Sequence, residues 1–168
     1  MGSSRVAGRI RVAGALIVLL WLASTLGFAS CAKGRGGAGK IDPELERSRL
    51  AEASSLLEKG AYDEAIGKCS QIIACNPNCA DAYFLRGNSY FRTDKRELAI
   101  QDYSETIELD PDNAKAYCNR GSVLAKNGEL VAAIKDLQRA LDLDPYLAEA
   151  RQMLQRAKHE LSLQQTGP

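Results

Sequence analysis

ADAYFLRGNSYFRTDKRELAIQDYSETIELDPDN (residues 80–113) runs without a break into AKAYCNRGSVLAKNGELVAAIKDLQRALDLDPYL (residues 114–147). Laid one on the other, Tyr83, Gly87, Tyr90, Ala99, Tyr103 and Pro111 coincide with Tyr117, Gly121, Leu124, Ala133, Leu137 and Pro145. Shifted back by the same interval, the frame continues as Arg49, Ala53, Leu56, Ala65, Cys69 and Pro77. A repeat of this length is one supersecondary unit that cannot bury its apolar face alone, so neighbouring units must stack to share a core. Small residues stand where two helices of a unit must cross closely: Ala53 with Ala65, Gly87 with Ala99, Gly121 with Ala133. Glycine inside a helix costs about 0.8–1.0 kcal/mol against alanine, so Gly87 and Gly121 imply a close approach that offsets it. Amphipathic periodicity continues through both, which argues against helix breaks there. Pro77, Pro111 and Pro145 end the second helix of each unit, because the residue before proline is driven out of the α region.

This spacing resembles the tetratricopeptide repeat (TPR), a helix-turn-helix unit with aromatic, Gly, Ala and Pro residues at set places. The resemblance implies an all-α fold, a right-handed α-solenoid of three repeats at 46–79, 80–113 and 114–147, plus a C-terminal capping helix at 148–163. The first repeat is degenerate in its leading helix, as a terminal repeat can be. In the capping helix, Ala150, Leu154, Ala157 and Leu161 follow at helical spacing while Glu149, Gln152, Arg156, Lys158 and Glu160 face water. Residues 164–168 are expected to fray.

The repeats also carry a charge pattern. At the seventh place stand Glu52, Arg86 and Arg120, and at the twenty-third Lys68, Asp102 and Asp136. The signs oppose within every repeat and swap together in the first. An ion pair between the two helices of each repeat is expected; pairing to the next repeat would set Lys68 against Arg86.

Reactive chemistry is missing from the sequence. His159 is the single histidine, without a second His or a spaced acidic partner for metal or proton-transfer work. Phosphate loops, nucleophile elbows and zinc-protease helices do not occur. No catalytic residue, metal, cofactor or small-molecule substrate is expected, and the chain does not read as an enzyme. Besides Cys31 there are Cys69, Cys75, Cys79 and Cys118. Cys69 and Cys75 fall at core places of the frame and read as small hydrophobes. A Cys75 to Cys79 bridge across the Asn76-Pro77-Asn78 turn is left open, since geometry decides it.

A stack of helix pairs curves, with the first helices lining its inner wall. By resemblance to the family, a protein or peptide would be gripped from the second, fifth, ninth and twelfth places. These are Arg47, Leu50, Ser54 and Leu57, then Asp81, Phe84, Asn88 and Phe91, then Lys115, Cys118, Ser122 and Ala125, with Asn119 beside them. Chaperone-binding members hold a C-terminal carboxylate between Asn, Lys and Arg. Here Asn88 and Asn119 are present but Phe84, Glu149 and Met153 are read at the cation places, so a chaperone tail is not expected.

The N-terminal segment is an address. Arg5, Arg9 and Arg11 precede an apolar run from Val12 to Leu22, which continues to the small residues Ala29 and Ser30. Residues 1–30 therefore have the layout of a secretory signal. Phe28-Ala29-Ser30-Cys31 resembles a bacterial lipobox, which implies a lipid attached at Cys31 and a bacterial envelope location, with the outer membrane favoured by Ala32. An uncleaved anchor or a released protein are the alternatives. Residues 31–45 form a Gly-rich linker, in which the nine residues from Ala32 to Lys40 hold four glycines and make a flexible tether of about 15–18 Å reach. The whole chain has 22 basic and 21 acidic side chains, but from Ile41 onward the balance is 16 against 21, a net −5. An acidic folded part lacks the electrostatic footprint of a nucleic-acid binder. The expected function is a membrane-tethered adaptor or scaffold that assists envelope assembly. The alternative is a self-associating structural lipoprotein whose groove is filled by its own neighbour.

Overall fold

The computed structural model describes residues 42–166; the expected signal segment, Cys31 and the Gly-rich stretch to Lys40 lie outside the described residues. Seven helices occur among the described residues: α1 Pro43–Glu58, α2 Tyr62–Cys75, α3 Ala80–Arg92, α4 Arg96–Leu109, α5 Ala114–Lys126, α6 Leu130–Leu143 and α7 Ala148–Thr166. None of them is long and apolar enough to cross a membrane. The fold is an all-α tetratricopeptide-type solenoid.

Local chemistry sets the helix ends. At the start of α1 the Asp42 side chain accepts from the Glu44 N–H at 3.0 Å and proline occupies the first turn, the arrangement that satisfies orphan donors without wasting one. The Asn113 side chain caps α5 by accepting from Ala116 N–H at 3.0 Å. Within each hairpin the turn passes through positive φ at the same repeat place: Gly60 at 78°, Asp94 at 58° and Gly128 at 82°. Each second helix ends on an extended residue before its proline, with φ/ψ of −135°/91° at Asn76, −135°/84° at Asp110 and −132°/93° at Asp144. This is the proline stop anticipated from the sequence.

Two boundaries differ from expectation. Helix α1 begins at Pro43, inside the stretch read as linker, and α7 continues to Thr166 rather than fraying after Leu163. The Asp42 cap and Pro43 start account for the first. Beyond Leu163, Gln164, Gln165 and Thr166 extend the helix without proline or glycine to stop it.

Consecutive helices pack antiparallel, and α1 also meets α3, α3 meets α5 and α5 meets α7. The first helices thus form a continuous row, whereas α2, α4 and α6 pack on first helices and not on one another. The small residues lie at the crossings as the repeat frame requires: Ala53, Ala65, Ala99 and Ala133 are fully buried. A Cβ built on Gly87 would stand 3.0 Å from the Tyr103 ring, and one on Gly121 would stand 2.9 Å from Leu137 Cγ and 3.2 Å from the Ala133 carbonyl oxygen. The core is a chain of small clusters. One joins Cys118, Leu130 and Leu137 to Ala150, Leu154 and Ala157 of α7; another joins Ala99, Tyr103 and Val123.

Candidate functional site

Three ion pairs tie the hairpins. Arg86 reaches Asp102 through Nε to Oδ2 and Nη2 to Oδ1, each 2.8 Å. Arg120 reaches Asp136 the same way at 2.7 and 2.9 Å. In the first repeat, with signs exchanged, Lys68 Nζ stands 2.7 Å from Glu52 Oε1. The hydrogen bonds to Asp102 and Asp136 hold both guanidiniums above their already high pKa. Each arginine also has a further partner that the charge pattern does not reveal. Arg86 Nη1 donates to Ser70 Oγ at 3.2 Å and Arg120 Nη1 to Ser104 Oγ at 3.0 Å. Each arginine therefore ties its own hairpin to the preceding one. The signal was in the spacing: Ser70 and Ser104 stand as far before their arginines as Asp102 and Asp136 stand after them.

The inner wall centres on α3. Phe84, Asn88 and Phe91 follow at i, i+4 and i+7, so one face of the helix carries all three, and all are half-buried. Phe84 packs on the Ala99–Tyr103–Val123 cluster, its ring centroid 6.1 Å from that of Tyr103. Lys126 Nζ lies 4.2 Å from the centre of the Phe91 ring, a cation–π geometry. The Asn88 carbonyl oxygen accepts twice, from the Tyr103 hydroxyl and from Asn119 Nδ2, both at 2.8 Å. Burial pushes the Tyr103 hydroxyl well above the phenol range, so it remains a neutral donor. With its oxygen occupied, Asn88 is left with an amide N–H group that is not buried and has no partner among the described residues. Tyr103 is a core residue, as the frame assigned it, whose hydroxyl also holds the Asn88 amide in place.

The remaining residues read as groove positions divide. Asp81 and Lys115 are exposed, Ser54 and Asn119 half-buried, and Leu50 packs partly into the Ile72–Cys79–Ala82 cluster. Cys118 and Ser122 are corrections. Cys118 is 2% and Ser122 8% exposed, because α7 lies where a fourth repeat would begin and its Ala150 and Leu154 join Cys118 in one core. Ser122 sits one turn further along α5. The groove positions that stay accessible are consequently those on α1 and α3 with Lys115 and Asn119 of α5. Cys79 is a buried free thiol, which removes the Cys75 to Cys79 bridge.

These features define a helical-hairpin solenoid with an aromatic and amide-lined inner wall. The sequence profile of the tetratricopeptide repeat family matches residues 50–114 and again 84–148. The chain belongs to the tetratricopeptide repeat family. Among solved structures, the first TPR domain of Spaghetti (RPAP3) bound to the HSP90 peptide SRMEEVD is 27% identical with a TM-score of 0.71, over 75% of this chain and 99% of that one. The second TPR domain of human RPAP3, in complex with the HSP70 peptide SGPTIEEVD, is 27% identical with a TM-score of 0.66, over 70% and 98%. The Yersinia enterocolitica type III secretion chaperone SycD, in complex with a peptide of the translocator YopD, is 18% identical with a TM-score of 0.67, over 72% and 98%, a likeness of fold alone. No curated protein matches the chain significantly in sequence.

Proposed function

We propose that this chain is a membrane-tethered adaptor whose TPR domain captures a peptide segment of another protein on its inner wall and serves assembly in a bacterial cell envelope. The observation that carries the reading is the α3 face. Two partly exposed aromatic rings, Phe84 and Phe91, flank the Asn88 amide, whose oxygen is held by Tyr103 and Asn119 while its N–H group is open. Pre-set aromatic anchors around one oriented donor favour an extended chain, with apolar side chains on the rings and a carbonyl on the amide. Similarity to RPAP3 domains solved with bound peptides supports the same use. The function contains no catalytic step.

The tether rests on sequence. Arg5, Arg9 and Arg11, the apolar run and Ala29-Ser30-Cys31 favour lipid attachment at Cys31, and Ala32 favours the outer membrane as destination. Acyl chains contribute about 0.8 kcal/mol per buried methylene, so two or more give durable anchoring.

Affinity capture with the full chain and with Phe84→Ala/Asn88→Ala, read by mass spectrometry, tests the groove. Loss of a partner in the double variant, with helicity kept, is the expected result; undiminished capture moves the site off the inner wall. A closed dimer in light scattering that buries Phe84 would replace capture by self-association. Palmitate incorporation abolished by Cys31→Ser is expected for the lipid; unchanged labelling removes it.

A further inference from the structure

The outer face of the stack holds a second, differently charged depression. Because α4 and α6 pack on first helices rather than on each other, a cleft opens between them, floored by Tyr117, Arg120 and Leu124 of α5. Ile100 lines it from α4, Lys135 and Arg139 from α6, and the hollow, about 930 Å³, extends round α6 to Lys158 of α7. Arg120 is neutralised by Asp136. Arg139 has Asp112 as its single ion-pair partner among the described residues, 4.0 Å away and largely solvated, and its guanidinium lies over the Tyr117 ring, 5.9 Å from the centroid. Neither Lys135 nor Lys158 has an anion within ion-pair distance among the described residues. Asp142 is the one other acid of the lining and takes a hydrogen bond from Gln138.

The repeat register shows that this charge is particular to the cleft. Moving back by one repeat keeps the floor as Tyr83, Arg86 and Tyr90, but turns Lys135, Arg139 and Asp142 into Gln101, Glu105 and Glu108. At those places the preceding repeat is therefore acidic, not basic. A basic rim on an apolar floor, within a domain that is net acidic, selects a ligand of opposite sign.

We infer that the α4–α6 cleft is a second docking site, for an acidic amphipathic segment of a partner protein that sets carboxylates on Lys135, Arg139 and Lys158 and apolar side chains on Ile100, Tyr117 and Leu124. The chain's own segment from Met1 to Lys40 does not suit it, since it contains no acidic side chain. An anionic bilayer fits poorly as well: the floor is recessed between two helices, and a net charge of −5 from Ile41 onward repels the surface.

The test is fluorescence anisotropy on the full chain with a labelled synthetic helix, Leu along one face and Glu beside it, about 14 residues or ~21 Å long to match α6. Its twin carries Lys for Glu. Expected are binding of the Glu peptide alone, weakening with salt, and a loss of about tenfold or more in Lys135→Gln/Arg139→Glu, with circular dichroism unchanged. The inference is overturned by no binding of the Glu peptide, by equal binding of the twin, or by affinity unchanged in that double variant. It is equally overturned by loss only in Phe84→Ala/Asn88→Ala, which would place the peptide on the inner wall. Sedimentation showing a dimer that dissolves in Lys135→Gln/Arg139→Glu would give the cleft to a second copy instead.

Discussion

Arg86 and Asp102 meet through two parallel hydrogen bonds, Nε to Oδ2 and Nη2 to Oδ1, each 2.8 Å long. With the side chains 19% and 5% exposed, this is a fork-to-carboxylate contact at the waist of a hairpin, where geometry and desolvation both raise the stakes. The homologous contact in the first repeat, Lys68 with Glu52, is 38% and 52% exposed and single-pointed. Removing one partner of a buried pair leaves an uncompensated charge, whereas an exposed pair contributes little. Asp102→Ala should lower unfolding free energy by about 2–4 kcal/mol, and Glu52→Ala by less than about 1 kcal/mol. Urea titrations of both variants check the contrast, and equal losses would contradict it.

Glycines in two helices should respond to the same substitution with opposite sign. Gly121→Ala places a Cβ 2.9 Å from Leu137 Cγ and 3.2 Å from a backbone oxygen of Ala133, which cannot move cheaply. The propensity gain of about 1 kcal/mol is then outweighed by overpacking of about 1–3 kcal/mol or more. Gly67 lies within α2 with nothing inside 4 Å of a built Cβ, so Gly67→Ala should stabilise by about 0.8–1.0 kcal/mol. Thermal melts of the two variants should move apart, Gly67→Ala upward and Gly121→Ala downward.

The hairpins were legible in the sequence because a steric requirement leaves a compositional mark. Only tiny residues fit at Gly87 and Gly121, and only a proline stop explains Pro77, Pro111 and Pro145. The charge pairs were legible because a sign reversal at Glu52 and Lys68 occurs at both places together. Burial of Cys118 and Ser122 was not legible. It depends on how α7 seats against α5, and helical spacing in α7 gives its apolar face without giving its docking. The Asn88–Tyr103–Asn119 cluster escaped for a related reason: its three residues occupy different repeat places, so no periodic signal joins them.

The inter-helix turns offer a cheap check of the register. Gly60 and Gly128 take positive φ where the first and third hairpins reverse, but the second uses Asp94 at 58°. A side chain in the left-handed region costs on the order of 1–2 kcal/mol, softened for Asp by local hydrogen bonding, and the salt bridge of Asp94 to Arg96 is exposed. Part of the gain from glycine is returned through the greater freedom of the unfolded chain. Asp94→Gly should therefore raise stability by up to about 1 kcal/mol. A marked loss in chemical denaturation would mean that the Asp94 side chain holds the turn.

Buried thiols make stability fall on the alkaline side. Burial pushes Cys69 up to about 12, and Cys79 and Cys118 each to about 11; Tyr103 is raised for the same reason. An unfolded cysteine titrates near 8.5. Between that value and the folded ones the native chain keeps protons that the unfolded chain has lost, so unfolding releases protons and the slope of stability against pH is negative. The stabilisation is whole below about pH 8.5 and drains away as pH climbs through 9 towards 11–12. Urea midpoints under reducing conditions should be level from pH 6 to 8 and drop steeply above about 9. Cys79→Ala should make that drop shallower, while native Cys69, Cys79 and Cys118 should stay unlabelled by a thiol reagent at neutral pH until denaturant is added. Midpoints level through pH 11, or prompt labelling of the folded chain, would mean that these thiols are open to water.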